Sequence, residues 1–259
     1  MRVKKILILY PHGLGDCILL TPALRTFHEL TGNKVSIATL ERFKSAKLFD
    51  NNPYVDQIFY TKDAWLDYPN SQIGFHTLYT EWKQKAKDLG FHGFLMPMHS
   101  QPTNKILLNC EFLGIRGVVD YQPEVHTTPE DVEKANQIIQ SVCGDSSFGF
   151  VQTNTGVPQK DLPAHFGRNW LKENKGVEQV IEVGVEFGAL DYNINVQFEI
   201  MRRAAAVCLP DSVFYHACHA MGKDIDLAFF GRGPQVYNRV KPLHQVVEQV
   251  VFDLKDVTW

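Results

Sequence analysis

The sequence predicts an α/β protein of two Rossmann-like domains with parallel sheets facing across a cleft. Three observations lead there. Short apolar runs such as Ile6-Leu7-Ile8-Leu9-Tyr10 are β-branched or bulky throughout and too short for a typical helix, as strands buried on both faces must be. These runs alternate with apolar-periodic stretches closed by glycine or Asn-Pro, the rhythm of βαβ units. Midway, the polar run Cys143-Gly144-Asp145-Ser146-Ser147 interrupts the alternation and suggests a linker, giving domains of residues 1–145 and 146–259. At 259 residues the chain suits two smaller α/β domains better than one large core.

The first unit, Val3 to Leu30, reads as strand, glycine turn and helix: Ile6–Tyr10, then Gly13, Gly15 and Asp16, then Ile18, Leu20, Ala23, Leu24 and Phe27 at helical spacing. Pro22 removes a bond to the carbonyl of Ile18, so this helix is expected either to kink or to start at Thr21-Pro22. Thr31-Gly32-Asn33 supplies C-cap chemistry, and Lys34–Leu40 is a second strand. A short helix over Glu41–Phe49 and a strand over Val55–Tyr60 follow, separated by Asn51-Asn52-Pro53. Leu78–Leu89 reads as helix, Gly93–Pro97 as strand, Asn104–Leu113 as helix and Arg116–Tyr121 as a short strand. Thr128-Pro129-Glu130-Asp131 is a strong helix start, with a threonine cap, proline at the first position and acids in the first turn. Beyond the linker come strands at Phe148–Gln152 and Val177–Val185, a helix at Phe198–Ala206, a strand at Val207–Leu209 and a helix at Val213–Met221. Strands at Ile225–Phe230 and Gln245–Phe252 complete the pattern.

Hydrophobic residues at 44% indicate a substantial core, and the net charge of −3 gives no global signal for nucleic acid or an anionic membrane. The basic clusters Arg2/Lys4/Lys5, Arg42/Lys44/Lys47 and Lys83/Lys85/Lys87 read first as solvated faces. Five scattered cysteines with no CxxC pair indicate neither a disulfide framework nor a zinc site. The N-terminus lacks a signal-peptide pattern and no run reaches the roughly 18 apolar residues of a membrane span, so a cytoplasmic protein is expected.

Three stretches could carry chemistry. Gly13-Leu14-Gly15-Asp16 follows a strand but is neither GxGxxG nor a Walker loop, and Asp16 reads either as a helix N-cap or as a reacting carboxylate. At Asp211-Ser212-Val213-Phe214-Tyr215-His216, free N–H groups at a helix start suit an anion such as a pyrophosphate, and an ordinary Asp/Ser-capped helix fits equally. Thr153-Asn154-Thr155-Gly156 with Lys160 places hydroxyls and an ammonium after a strand, as a phosphate loop or a surface loop; Arg168 and Lys172 are further phosphate partners. His216 and His219 share a helix at i, i+3 but lack the companion carboxylate of a metalloprotease pattern. No GxSxG elbow appears.

These stretches fall in a familiar order. Ile8-Leu9-Tyr10-Pro11-His12-Gly13-Leu14-Gly15-Asp16 with Thr21-Pro22-Ala23-Leu24-Arg25 resembles the opening of the heptosyltransferase family, glycosyltransferase family 9. Asn52-Pro53-Tyr54-Val55-Asp56 and Asp211-Ser212 with His216, Ala217, Ala220, Gly222-Lys223 and Phe229-Phe230-Gly231 are similar to its later motifs. The resemblance implies a GT-B fold, a nucleotide-sugar donor such as ADP-heptose, no metal or other cofactor, and inversion at the anomeric carbon. It implies Asp16 as the base that deprotonates the acceptor hydroxyl. It places the donor against Gly15, Thr153, Thr155, Lys160, Asp211, Ser212, Val213, Phe214 and His216, with His12, His99 and Lys105 toward the acceptor. That acceptor would be a glycan or lipid-linked glycan, as in a lipopolysaccharide core, with peripheral contact at the inner face of the membrane. Val213 stands where the family has glycine, and the second domain is short. Two other functions stay open: transfer to a modified DNA base or a protein, for which a local basic groove would suffice, and non-catalytic binding of a sugar nucleotide or glycan.

Overall fold

The computed structural model describes residues 5–97, 105–116, 120–155, 160–162, 165–183, 193–229 and 236–238. These fall into two compact units, one drawn from 5–44 and 52–122, the other from 45–51 and 123–238.

In the first unit, β1 (Ile6–Leu9), β2 (Val35–Leu40), β3 (Val55–Thr61) and β4 (Gly93–Leu95) form a parallel sheet ordered β3-β2-β1-β4. Ile6 lies opposite Val35 on one side and Gly93 on the other. Every residue of β1 and β2 is buried, which is why these strands read as continuous apolar runs rather than alternating ones. Helices α1 (Leu14–Thr31), α2 (Ser71–Asp88) and α3 (Lys105–Phe112) complete the unit, and a 3-10 helix at Glu41–Ala46 replaces the α-helix expected over 41–49. Leu7, Leu9, Leu78, Trp82 and Ala86 share a core cluster, within which Trp82 Nε1 donates to Thr61 Oγ1 at 2.7 Å.

Helix α1 departs from expectation. It neither starts at Thr21 nor breaks there, but runs unbroken from Leu14 with Pro22 inside it. The carbonyl of Ile18, which Pro22 leaves without its helical donor, accepts instead from Thr21 Oγ1 at 2.7 Å. Threonine and proline here act together, the hydroxyl replacing the bond the ring removes. Helix α2 starts a full two turns before the expected Leu78, because Asn70 caps it by accepting from the Ile73 amide at 2.9 Å.

In the second unit, β5 (Phe148–Gln152), β6 (Gln179–Val183), β7 (Ala206–Pro210), β8 (Leu227–Phe229) and β9 (Val236–Asn238) are ordered β6-β5-β7-β8-β9, all parallel except β9 against β8. The helices are α4 (Pro129–Cys143), α5 (Phe166–Lys175), α6 (Ile194–Arg203) and α7 (Val213–Met221). Helix α4 opens with the expected threonine cap, completed into a capping box by Asp131. It packs on α6 of this unit, where Asn193 Nδ2 donates to Asp131 Oδ1 at 2.6 Å and Thr127 Oγ1 to Glu199 Oε1 at 2.7 Å. The division therefore falls near residue 122, upstream of the linker-like run at 143–147. Helix α5 has no counterpart in the sequence reading: only Gly167 and Leu171 of its ten residues are buried, too few for an apolar stripe. The strand expected over 245–252 lies outside the described residues, and of the one expected over 116–121 the described residues, 116, 120 and 121, are not in a strand.

Candidate active site

In an open parallel sheet, ligands bind outside the carboxyl ends of the strands where the chain order reverses. In the first unit that point is the end of β1, flanked by β2 on one side and β4 on the other. The β1–α1 connection is Tyr10-Pro11-His12-Gly13. Gly13 has extended backbone (φ −62°), and a methyl group there would meet Asp16 Oδ2 at an ordinary 3.5 Å, so this glycine is not required by a left-handed turn. Asp16 and Gly15 sit in the first turn of α1, where the helix dipole favours a carboxylate. The N-cap position is taken by Gly13, which has no side chain, and Asp16 stands two residues inside the helix start at Leu14, so Asp16 is not the N-cap residue that one sequence reading allowed. Instead, Asp16 Oδ1 accepts from Nζ of Lys105 at the start of α3, the helix that follows β4, with the carboxylate one-fifth exposed. The pair thus bridges the two strands of the reversal point.

Beneath Asp16 lies a polar pin that the sequence reading missed. The Tyr10 hydroxyl lies 3.2 Å from the Asp16 carbonyl and accepts from Asn109 Nδ2 at 3.2 Å, while the same amide lies 3.1 Å from the Leu19 carbonyl. Burial, with the nearby Asp16 charge, pushes the Tyr10 phenol far above its ordinary range, so it stays protonated. His12 is buried, with Nε2 2.7 Å from the Pro97 carbonyl and its ring edge-on to Tyr10. Burial lowers its pKa below 6.5, outweighing the opposing pull of the Pro97 bond and Asp16, so the ring is neutral near pH 7. His99 lies outside the described residues.

The second unit repeats the arrangement. Its reversal point is the end of β5, between β6 and β7. Lys160, from the connection after β5, meets Asp211, which follows β7, with Nζ 2.6 Å from Oδ2 and 3.4 Å from the Asp211 carbonyl. Ser212 is the N-cap of α7, yet its hydroxyl donates to Gln152 Oε1 and accepts from no N–H of the helix, leaving the first turn without a side-chain cap. Gln152 Nε2 in turn donates to the Asn154 carbonyl at 2.9 Å. Thr155 is fixed by Asp161 Oδ1, which accepts from its amide at 2.6 Å and its hydroxyl at 3.0 Å. His216 Nε2 stands 3.9 Å from Asp211 Oδ1. Lys160, Asp211, Ser212, Val213 and His216 therefore gather at one helix start.

Other expected donor residues are placed differently. Thr153 is buried and its hydroxyl donates to Glu182 Oε1, inside the sheet. Arg168 is taken by the same carboxylate, with Nε 3.0 Å from Oε2. The Phe214 side chain is buried against Phe150 and Phe198, so only its backbone can face a ligand. His219 is buried edge-on to Tyr215. Among the described residues, no group of three or more histidine, cysteine or acidic side chains is arranged to hold a metal, and no helix is long and apolar enough to cross a membrane.

No protein-family model matches the chain, and no curated protein sequence does so significantly. Solved structures match it over most of its length. Glycosyl transferase family 9 from Veillonella parvula DSM 2008 superposes with a TM-score of 0.57 at 14% identity, covering 85% of this chain and 78% of that one. E. coli ADP-heptose lps heptosyltransferase II gives 0.59 at 12% identity, covering 85% and 83%. The fold is GT-B. The dodecameric iron-containing glycosyltransferase TibC from enterotoxigenic E. coli H10407 shares it, with a TM-score of 0.52 at 11% identity over 87% of this chain and 60% of that one. Within the GT-B fold, each of the two lysine–carboxylate pairs lies at the carboxyl end of the strands of its own sheet.

Proposed function

We propose that the chain is an inverting glycosyltransferase of the heptosyltransferase kind, moving a sugar from a nucleotide-sugar donor such as ADP-heptose to a hydroxyl of a glycan or lipid-linked glycan. The observation that carries this reading is Asp16: a one-fifth-exposed carboxylate following the carboxyl end of β1, pinned through its backbone and paired to Lys105 in a GT-B fold. Asp16 Oδ takes the proton of the acceptor hydroxyl. The acceptor oxygen forms its bond to the anomeric carbon from the face opposite the diphosphate. The bond from that carbon to the diphosphate oxygen breaks, and the electron pair leaves with the nucleotide. Lys105 orients the carboxylate.

The second unit provides for the leaving group. Backbone N–H groups at the start of α7 and the Lys160 ammonium place positive charge where the diphosphate gains negative charge. Asp211 holds Lys160 at that helix start, and His216 lines the same edge. Because this charge is supplied by the protein, the reaction proceeds without a metal or other cofactor. We place the enzyme in the cytoplasm, acting at the inner face of the membrane.

A thermal-shift screen with ADP, UDP, GDP and CDP sugars identifies the donor, since a ligand that binds the folded state raises its melting temperature. With that donor, Asp16→Ala loses turnover and keeps donor binding. Unchanged turnover in this variant would refute the base assignment, and a protein that binds the donor yet transfers nothing in its native form is a binding protein. Chelation with EDTA leaves the rate unchanged; a loss restored by a divalent or iron ion overturns metal independence.

A further inference from the structure

Trp65 is half exposed (51%) and Leu66 beside it is more so (67%). A single exposed tryptophan is ordinary on a protein surface. This one differs in how rigidly it is presented and in what it borders. The turn that carries it follows β3 and is tied at each step. Asp63 Oδ1 accepts from the Trp65 amide at 2.8 Å, Asp67 Oδ2 from the Asp63 amide at 2.7 Å, and the Asp63 carbonyl from the Asp67 amide at 2.9 Å. Asp63 is itself buried and anchored by Arg42 at 2.9 Å. Helix α2 approaches the turn so closely that a Cβ on Gly74 would lie 2.4 Å from the Ala64 carbonyl oxygen; only glycine permits that contact.

The indole is supported edge-on by Phe75, with ring centroids 4.5 Å apart, and borders His12 at 6.3 Å. His12 belongs to the β1–α1 connection that presents Asp16, and Trp65 follows the carboxyl end of β3 in the same parallel sheet. One imidazole, positioned by the Pro97 carbonyl and held neutral by burial, thus joins the tryptophan to the loop bearing the carboxylate.

We propose that Trp65 is the stacking platform of the acceptor: a neutral pyranose ring of a glycan lies on the exposed indole face, one sugar removed from the hydroxyl that reaches Asp16. This rests on the glycosyltransferase reading and names the substrate class of its acceptor side. A pyranose presents a face of C–H bonds with a slight positive charge, which complements the negative face of an aromatic ring, while its rim of hydroxyls needs polar acceptors. The exposed carboxylate of Asp67 on the same turn accepts from hydroxyls and repels phosphate, so the platform favours an uncharged sugar over an anionic lipid surface or a nucleic acid.

The test is an array of neutral and phosphorylated oligosaccharides probed with the full chain and with its Trp65→Ala and Trp65→Phe variants. Because Trp65 is exposed, both variants melt within about 2 °C of the parent, which certifies their folding. The parent binds at least one class of neutral oligosaccharide. Affinity falls roughly tenfold in Trp65→Ala, the size of one lost stacking contact, and stays within about threefold in Trp65→Phe. The proposal is overturned if the parent binds no neutral oligosaccharide or if Trp65→Ala binds as the parent does. It is also overturned if Trp65→Ala instead abolishes binding to vesicles of phosphatidylcholine and phosphatidylglycerol. The nucleotide-sugar thermal shift is read alongside. Donor binding with no Trp65 effect sinks this platform alone; Trp65-dependent glycan binding with no donor binding sinks the transferase reading and leaves the platform standing.

Discussion

Both sheets place a lysine against an aspartate at the strand end where chain order reverses, yet the two pairs are built from opposite directions. In the first unit the carboxylate, Asp16, is the rigid partner: it stands in the first turn of an 18-residue helix, over Tyr10 and Asn109, and the lysine comes to it from α3. In the second unit the helix start is the fixed element, and Asp211 brings Lys160 to it. A fixed anion suits removal of a proton, whereas a cation held beside uncapped helix N–H groups suits stabilisation of a departing anion. In the function proposed above, the same two residue types serve as a base in one unit and as an electropositive helix start in the other, and the difference lies in which of them the helix owns.

This contrast can be broken experimentally. The largest effect is expected for Asp16→Ala, which should lower kcat about a thousandfold while donor affinity holds, as measured by single-turnover kinetics and calorimetry. Lys160→Ala should do the reverse in kind, weakening donor binding roughly ten- to hundredfold through loss of charge-assisted hydrogen bonds. If both variants lowered affinity equally and left the bound rate alone, the division of roles would collapse. Next in size is a packing contrast, read by urea unfolding. Gly74→Ala drives a Cβ into the Ala64 backbone and should cost about 2 kcal/mol or more. Gly149→Ala meets the movable Leu171 Cδ1 at 2.7 Å and should cost less than about 1 kcal/mol.

The smallest effect is on pH dependence, and its sign follows from burial. His12 has a folded-state pKa below the unfolded 6.5, so on acidification the unfolded chain takes up the proton first. Its contribution to stability is complete above about pH 6.5 and is lost as pH falls below it. Urea midpoints taken from pH 7 to pH 5 should decline, and less steeply in His12→Gln. Equal slopes would show that the ring takes up its proton equally in the folded and unfolded chain.

The first unit was the more legible of the two from sequence. Its continuous apolar strands are written in single residues whose physics is local, as is, in the second unit, the Thr128-Pro129 start of α4. Pro22 misled because its effect depends on a hydroxyl one residue earlier: Thr21 repairs the bond that proline removes, and helix propensity alone does not register such a pair. Helix α5 escaped because its buried face is Gly167 and Leu171 alone, beneath a charged surface. At the candidate site, Asp16, Lys105, Lys160 and Asp211 were singled out from residue type and from the family resemblance, but their pairing joins positions 89 and 51 residues apart and had no signature in spacing. Tyr10 and Asn109 read as ordinary core, since a buried phenol announces its polar partner only when the partner is seen. Thr153 looked like a phosphate-loop hydroxyl, but Glu182 on the adjacent strand claims it.

The five cysteines, which form no disulfide framework, are shielded from solvent in the native protein. All are buried, and burial pushes the thiols of Cys110 and Cys208 up to about 12 and those of Cys17 and Cys218 upward as well. The thiolate is the species that reacts, so a colourless disulfide reagent added at neutral pH has nothing to attack until the chain opens. Cys17 and Cys110 lie in the first unit and Cys143, Cys208 and Cys218 in the second. The rate at which each set is labelled therefore times the opening of its own unit, giving the molecule two internal clocks built from its native side chains.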